Sequence, residues 1–235
     1  MTTRLHLLCA GAAQGLVKAM QDAFTAETGA VVQARFGAVG AMKEALLAGE
    51  PCDVMVATEA MIEQLSADGL LRGETRAPLG RVYTGIAVRN GDAPCDVSTP
   101  EALKAALLAA DSLYFPDPAR ATAGIHFAAV MRQLSVHDSL QARWRTYPNG
   151  ATAMRELAAA TSARPLGCTQ VTEINYTDGV RLVAALPARF ELATVYTAAA
   201  SAGAADPPLA LSLIALLTGP RSQALRAGGG FEFAA

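Results

Sequence analysis

Three turns built of small residues hold the clearest prospects for chemistry in this chain: Ala10-Gly11-Ala12-Ala13, Gly37-Ala38-Val39-Gly40 and Thr122-Ala123-Gly124. Each lies where an apolar run of strand type gives way to a helical period. The backbone N–H groups there face outward at the positive end of a helix dipole and lack an intrahelical acceptor. Such a place holds an anion mainly through main-chain donors. The competing explanation for any one turn is tight strand-to-helix packing. None of the three matches a P-loop or GxGxxG pattern, which argues against a nucleotide phosphate. His6, His126 and His137 are dispersed, and Cys9, Cys52, Cys95 and Cys168 form no CxxC pair. No metal centre or cofactor is therefore expected, and the cysteines read as reduced core residues. There is also no GxSxG elbow to suggest a nucleophilic hydrolase.

Composition narrows the partner. Of 235 residues 52% are hydrophobic and 17% charged, and 19 Lys+Arg against 21 Asp+Glu leave a net charge of −2. A folded chain follows, with no clustered positive charge for nucleic acid. The apolar run Leu209–Leu217 is about half the ~20 residues needed to cross a bilayer, so no membrane insertion is expected. Met1–Arg4 and Leu5–Ala10 imitate a leader, but the apolar stretch is too short and reads better as a first strand. The expected compartment is cytoplasmic for the chain as written, and periplasmic if a leader precedes it. A small anion is the expected partner, with transporter membrane subunits added only for an exported protein.

The elements that must position these turns alternate in type. Leu5–Leu8, Val31–Phe36 and Asp53–Val56 read as strands; Gln14–Thr28, Gly40–Ala48 and Glu59–Ala67 read as the helices that follow them. This alternation predicts a parallel, doubly wound sheet with ligands at its carboxyl edge. After a glycine- and proline-marked loop, Val82–Val88 is a strand, and Ser98-Thr99-Pro100-Glu101 opens a capped helix to about Ala109. Strands at Ser112–Phe115, Arg145–Tyr147 and Leu166–Thr169 then alternate with helices at Ala121–Gln133 and Thr152–Thr161. Strands at Val180–Leu186 and Glu191–Tyr196 and helices at Pro208–Leu217 and Pro220–Ala227 close the chain. The expected organisation is two αβ lobes joined by a hinge with a ligand cleft between them: residues 1–80 with about 190–235, and 81–189.

Four stretches taken in order are similar to the periplasmic molybdate-binding protein family. They are Leu5–Phe24, Phe36–Gly40 leading through Ala48-Gly49-Glu50-Pro51-Cys52-Asp53-Val54, Asp117-Pro118 with Thr122–Ile125, and Arg164-Pro165-Leu166-Gly167. The resemblance covers nearly the whole chain and implies the α/β type II periplasmic-binding-protein fold. It also implies departures at the ligand. Family members place a serine after the first strand, where this chain has Ala12, and another after the second, where it has Ala38 or Val39. The tyrosine they often carry near the hinge aligns with Gln170. The resemblance makes Gly11, Ala12, Ala13, Ala38, Val39, Gly40, Ala123 and Gly124 main-chain donors, and the lost hydroxyls favour an organic carboxylate over tetrahedral molybdate or tungstate.

Some proteins of this fold are enzymes, and aconitate isomerase looks like a relative of the family. An allylic proton shift needs a base and donors that stabilise a dienolate-like anion. Glu173, after Cys168–Thr172, and Glu59, after Thr58, are the candidate bases; a surface or helix-capping role is the alternative for each. Arg120, Lys43 and Arg155 are candidate carboxylate partners, Arg120 foremost because it lies in the loop before Gly124. Thr122, Thr152 and Thr169 could replace the missing hydroxyls, and Gln170 lines the same wall. Two functions are expected to compete. One is a cofactor-independent isomerase of an unsaturated carboxylate; the other is a transporter's solute-binding protein, or a sensor, for oxyanions or carboxylates.

Overall fold

The chain begins with an apolar strand that is buried from Leu7 to its end, a pattern that suits the middle of a sheet rather than its edge. A computed structural model describes residues 3–233; Met1 and Thr2, part of the leader-like stretch, lie outside them. In chain order the elements are β1 (Arg4–Ala10), α1 (Gln14–Thr28), β2 (Val31–Gly37), α2 (Val39–Leu47), β3 (Val54–Thr58), α3 (Glu59–Ala67) and β4 (Ala77–Arg89). There follow α4 (Pro100–Ala109), β5 (Ser112–Pro116), α5 (Thr122–Gln133), α6 (His137–Leu140), β6 (Trp144–Tyr147), α7 (Gly150–Ala158), β7 (Pro165–Gln170), α8 (Val171–Asn175) and β8 (Val180–Ala185). The last are β9 (Ala193–Ala200), α9 (Pro207–Thr218) and α10 (Pro220–Gly229). Two compact units result: one runs to Val82 and resumes at Thr194, the other is Tyr83–Ala193.

In the first unit β1 lies between β2 and β3, parallel to both, and β9 pairs antiparallel with β3. In the second, β7 pairs in parallel with β5 and β5 with β6, while β4 runs antiparallel to β7 and β8. The parallel pairing expected of the first three strands is found, and β5, β6 and β7 pair the same way; the antiparallel β9, β4 and β8 correct the expectation of a wholly parallel sheet. Periodicity reports which faces of a strand are buried but not which way the strand runs.

The second unit's sheet is covered on both faces. Ile86, Val88, Phe115, Leu166 and Cys168 share one core with Phe127, Val130 and Met131 of α5. Ala87 packs on the other face with Ala153, Met154 and Leu157 of α7. Gly167 belongs to that face too, because a Cβ on it would stand 2.6 Å from Leu157 Cδ2. Residues along β4 and β7 therefore alternate between an α5 face and an α7 face, which decides below where the polar residues at the strand ends point.

Several helix ends follow ordinary rules. Gly29 closes α1 at φ 70°, and the Thr58, Thr99, Asn149 and Asp206 side chains cap the starts of α3, α4, α7 and α9. Asn149 draws the start of α7 back to Gly150, two residues before the expected Thr152. Among the starts without a side-chain cap, which also include those of α6, α8 and α10, the turn before α1, α2 and α5 share an alanine at the cap: Ala10, Ala38 and Ala121.

The four cysteines are free. Burial alone raises the Cys9 and Cys168 thiols far above their ordinary value, and it pushes Cys52 up to about 12. At pH 8 a disulfide-exchange reagent should modify half-exposed Cys95 first and reach Cys9 and Cys168 only on unfolding. Fast modification of either buried thiol in the native protein would show that its unit opens readily.

Candidate functional site

In the first unit the parallel register of β1, β2 and β3 gathers three segments at one sheet edge. Ala10 pairs with Gly37 and Cys9 with Val56, so the Gly11–Ala13 turn, Ala38–Gly40 and Thr58–Glu59 follow the carboxyl ends of three neighbouring strands. Gly11, Ala12 and Ala13 form a buried 3-10 turn, and Ala38 and Val39 are buried at the start of α2. Substituting alanine for a capping side chain costs about 1 kcal/mol, so an apolar buried helix start normally has another acceptor for its N–H groups. Thr197 of β9 stands opposite Ala57; it is 2% exposed and its Oγ1 has no partner among the described residues. Glu59 is exposed in the first turn of α3.

The second unit repeats the arrangement at the carboxyl ends of β5 and β7. α5 starts hard against β5: a Cβ on Gly124 would lie 2.2 Å from the Pro116 carbonyl oxygen, so only glycine allows this approach. Ala121 and Ala123 are buried there. Gln170 ends β7, directly opposite Thr84 of β4. By the alternation set out above, both point to the α5 face, one step beyond Cys168 and Ile86 and toward the end at which α5 begins. Gln170 is 2% and Thr84 1% exposed, yet Oε1 and Nε2 of Gln170 and Oγ1 of Thr84 have no partner among the described residues. A buried amide without hydrogen bonds costs on the order of 1–3 kcal/mol. Three such atoms lie on the face and at the end of the sheet where α5 begins. Thr172 Oγ1, in the first turn of α8, is also buried and unpartnered.

On the opposite face, Thr169 turns toward the start of α7. Its hydroxyl donates to Glu173 Oε2 at 2.5 Å, and the same carboxylate accepts the backbone N–H groups of Gly150, Ala151 and Gln170. Burial pushes the Glu173 carboxyl above its usual range, and these four hydrogen bonds act against that rise. Asn149 Oδ1 accepts the N–H of Thr152 at 2.8 Å. The start of α7 is therefore filled by the chain's own side chains, whereas that of α5 is not.

A profile described as bacterial extracellular solute-binding protein matches residues 5–232. The chain belongs to this family. Its α/β periplasmic-binding-protein fold matches the solved periplasmic molybdate-binding protein of Azotobacter vinelandii at a TM-score of 0.79 and 18% identity, over 98% of this chain and 100% of that one. It also matches the sulfate-binding protein SubI of Mycobacterium tuberculosis at 0.72 and 16%, over 97% and 86%. Among curated proteins, an aconitate isomerase from Pseudomonas sp is 26% identical over 221 residues, 92% of this chain and 82% of that protein.

Within each unit of this solute-binding family member, the expected site residues separate into two groups. Gly11, Ala12, Ala13, Ala38, Val39, Gly40 and Glu59 meet at one edge; Thr122, Ala123, Gly124 and Gln170 meet at the other. The rest have other business. Thr169 donates its hydroxyl to Glu173, and the Thr152 hydroxyl accepts from Arg155 Nη2 at 2.9 Å. Lys43 reaches toward Gln64. Arg120 is exposed in the loop before α5. Sequence reasoning missed Thr84, Thr172 and Thr197. Thr84 did carry a signal, being a polar residue inside the apolar run Val82–Val88; the other two look like ordinary strand and helix threonines.

Proposed function

We propose that this solute-binding family member takes a small organic carboxylate at the uncapped helix starts and shifts a proton on it when the acid is unsaturated. The observation that supports this reading is that each unit has buried, alanine-capped helix starts of its own: the Gly11–Ala13 turn and α2 in the first, and α5 in the second, where Gln170 and Thr84 have side-chain atoms with no partner among the described residues. Main-chain N–H groups and an amide suit a carboxylate oxygen. The methyl and isopropyl groups of Ala12, Ala38 and Val39 suit a carbon skeleton better than the hydration-like shell of a tetrahedral oxyanion. Arg120 adds a cation at the mouth of α5.

The named activity of the 26% identical relative supports the proton shift. In such a shift a C–H proton leaves one carbon, the double bond moves through a dienolate-like anion, and a proton joins another carbon. The base must have a free lone pair. Glu59 is exposed next to the Gly11–Ala13 turn and meets that requirement; Glu173 has its acceptor positions occupied. A second reading, binding without turnover in a receptor or sensor, is favoured by the family itself.

Incubating the purified protein with trans-aconitate and following both isomers by NMR separates the two readings. Interconversion is expected, and Glu59→Gln should slow it by about 10²–10⁴-fold while leaving affinity within a few-fold. Stabilisation by trans-aconitate with no turnover of this or other unsaturated acids would leave a binding protein.

A further inference from the structure

Glu173 occupies an unusual place for an acid. Two of the N–H groups it accepts, from Gly150 and Ala151, open α7, and a third, from Gln170, is at the cap position of α8. The third residue of α8 reaching back to the cap N–H is one half of a capping box; the bonds to α7 go beyond it and join two helices through one carboxylate. Gly150 makes room for this. A Cβ there would stand 1.9 Å from Thr169 Oγ1 and 2.0 Å from Glu173 Oε2. All four neighbours are donors, so the pocket around the carboxylate is the cradle of an anion at a helix start, with the anion supplied by the chain.

We propose that Glu173 is a positioning residue: it fills an anion site at the start of α7, keeps a guest's carboxylate out of it, and clamps the Thr169-Gln170 backbone so that the Gln170 amide faces the start of α5. The part concerning Gln170 rests on the reading of α5 as an anchor for the carboxylate; the filled site at α7 does not.

Removing the side chain should leave a vacant carboxylate site that formate fits. Glu173→Ala is expected to unfold several degrees lower than the parent protein. Sodium formate should restore much of that loss, sodium chloride should not, and formate should move the parent far less. Affinity for trans-aconitate should fall about tenfold in the variant and recover along the same formate titration, because the misplaced group is Gln170. Equal effects of formate on both proteins, or an unchanged trans-aconitate affinity without formate, would overturn the proposal. Should Glu173→Ala fail to fold, Glu173→Gln keeps the volume and serves instead. Lower affinity with an unchanged pH–rate profile supports positioning, whereas loss of the profile's base limb at constant KM would make Glu173 the proton acceptor and overturn it. Formate rescue of stability combined with a Gln170→Leu variant that still binds trans-aconitate would retain the α7 site and reject only the α5 anchor.

Discussion

Replacing Arg226 with methionine should cost roughly 3–5 kcal/mol of stability, the largest loss expected from any single side chain away from the site. Arg226 is 5% exposed, and among the described residues its hydrogen-bond partners are three carbonyls and a hydroxyl. Nη1 donates to the carbonyl of Leu79 at 2.6 Å, Nη2 to those of Thr218 at 2.6 Å and Gly219 at 2.9 Å, and Nε to Ser222 Oγ at 3.1 Å. The Thr218 and Gly219 carbonyls lie at the end of α9, where intrahelical donors run out, and a cation there also meets the negative end of the dipole. The ring of Phe233 stacks on the guanidinium with 4.6 Å from Cζ to its centre. Methionine fills the space but strands these acceptors. Lysine should recover less than half of the loss, since one ammonium cannot reproduce a planar fork. Denaturant unfolding of Arg226→Met and Arg226→Lys checks both, and a methionine variant within 1 kcal/mol of the parent would show that water takes over these carbonyls.

Gln170→Leu should separate binding from stability. Leucine is close to glutamine in volume and places no unpaired amide in the core of the second unit. The ligand-free variant is expected to match the parent or to gain up to about 1 kcal/mol. Affinity for trans-aconitate, by contrast, should fall by at least about tenfold, the worth of one hydrogen bond to a charged acceptor. Thr84→Val should repeat the pattern at smaller amplitude. A Gln170→Leu protein that loses stability and keeps its affinity would mean the amide is satisfied by internal water and takes no part in binding. This opposed pair of effects marks a functional residue: a structural one loses stability when it is removed.

Much of the fold was legible because its signals are local. α1 ends at Gly29, where φ is positive, and α3 begins after Thr58, whose hydroxyl caps it; both boundaries can be read from residue type alone. The three small-residue turns were legible for the same reason. Strand direction was not, because β3 pairing with β9 and β4 with β7 joins segments far apart in the chain. α8, at five residues, is too short to show a helical period, and it holds Glu173 in a capping position. The partners of that glutamate at Gly150 and Ala151 are remote in sequence, so a cleft base and a buried anion looked alike until the chain was folded. Thr84 gained meaning only when the register set it opposite Gln170.

The kind of anion that the uncapped helix starts accept decides the function. Calorimetric titration of the purified chain with trans-aconitate, citrate and molybdate under matched conditions tests it most directly. Saturable binding of at least one of the carboxylates, with no heat from molybdate, is the predicted result. Tight binding of molybdate with no response to either carboxylate would contradict it, because Ala12, Ala38 and Val39 would then serve a tetrahedral oxyanion through main-chain donors alone.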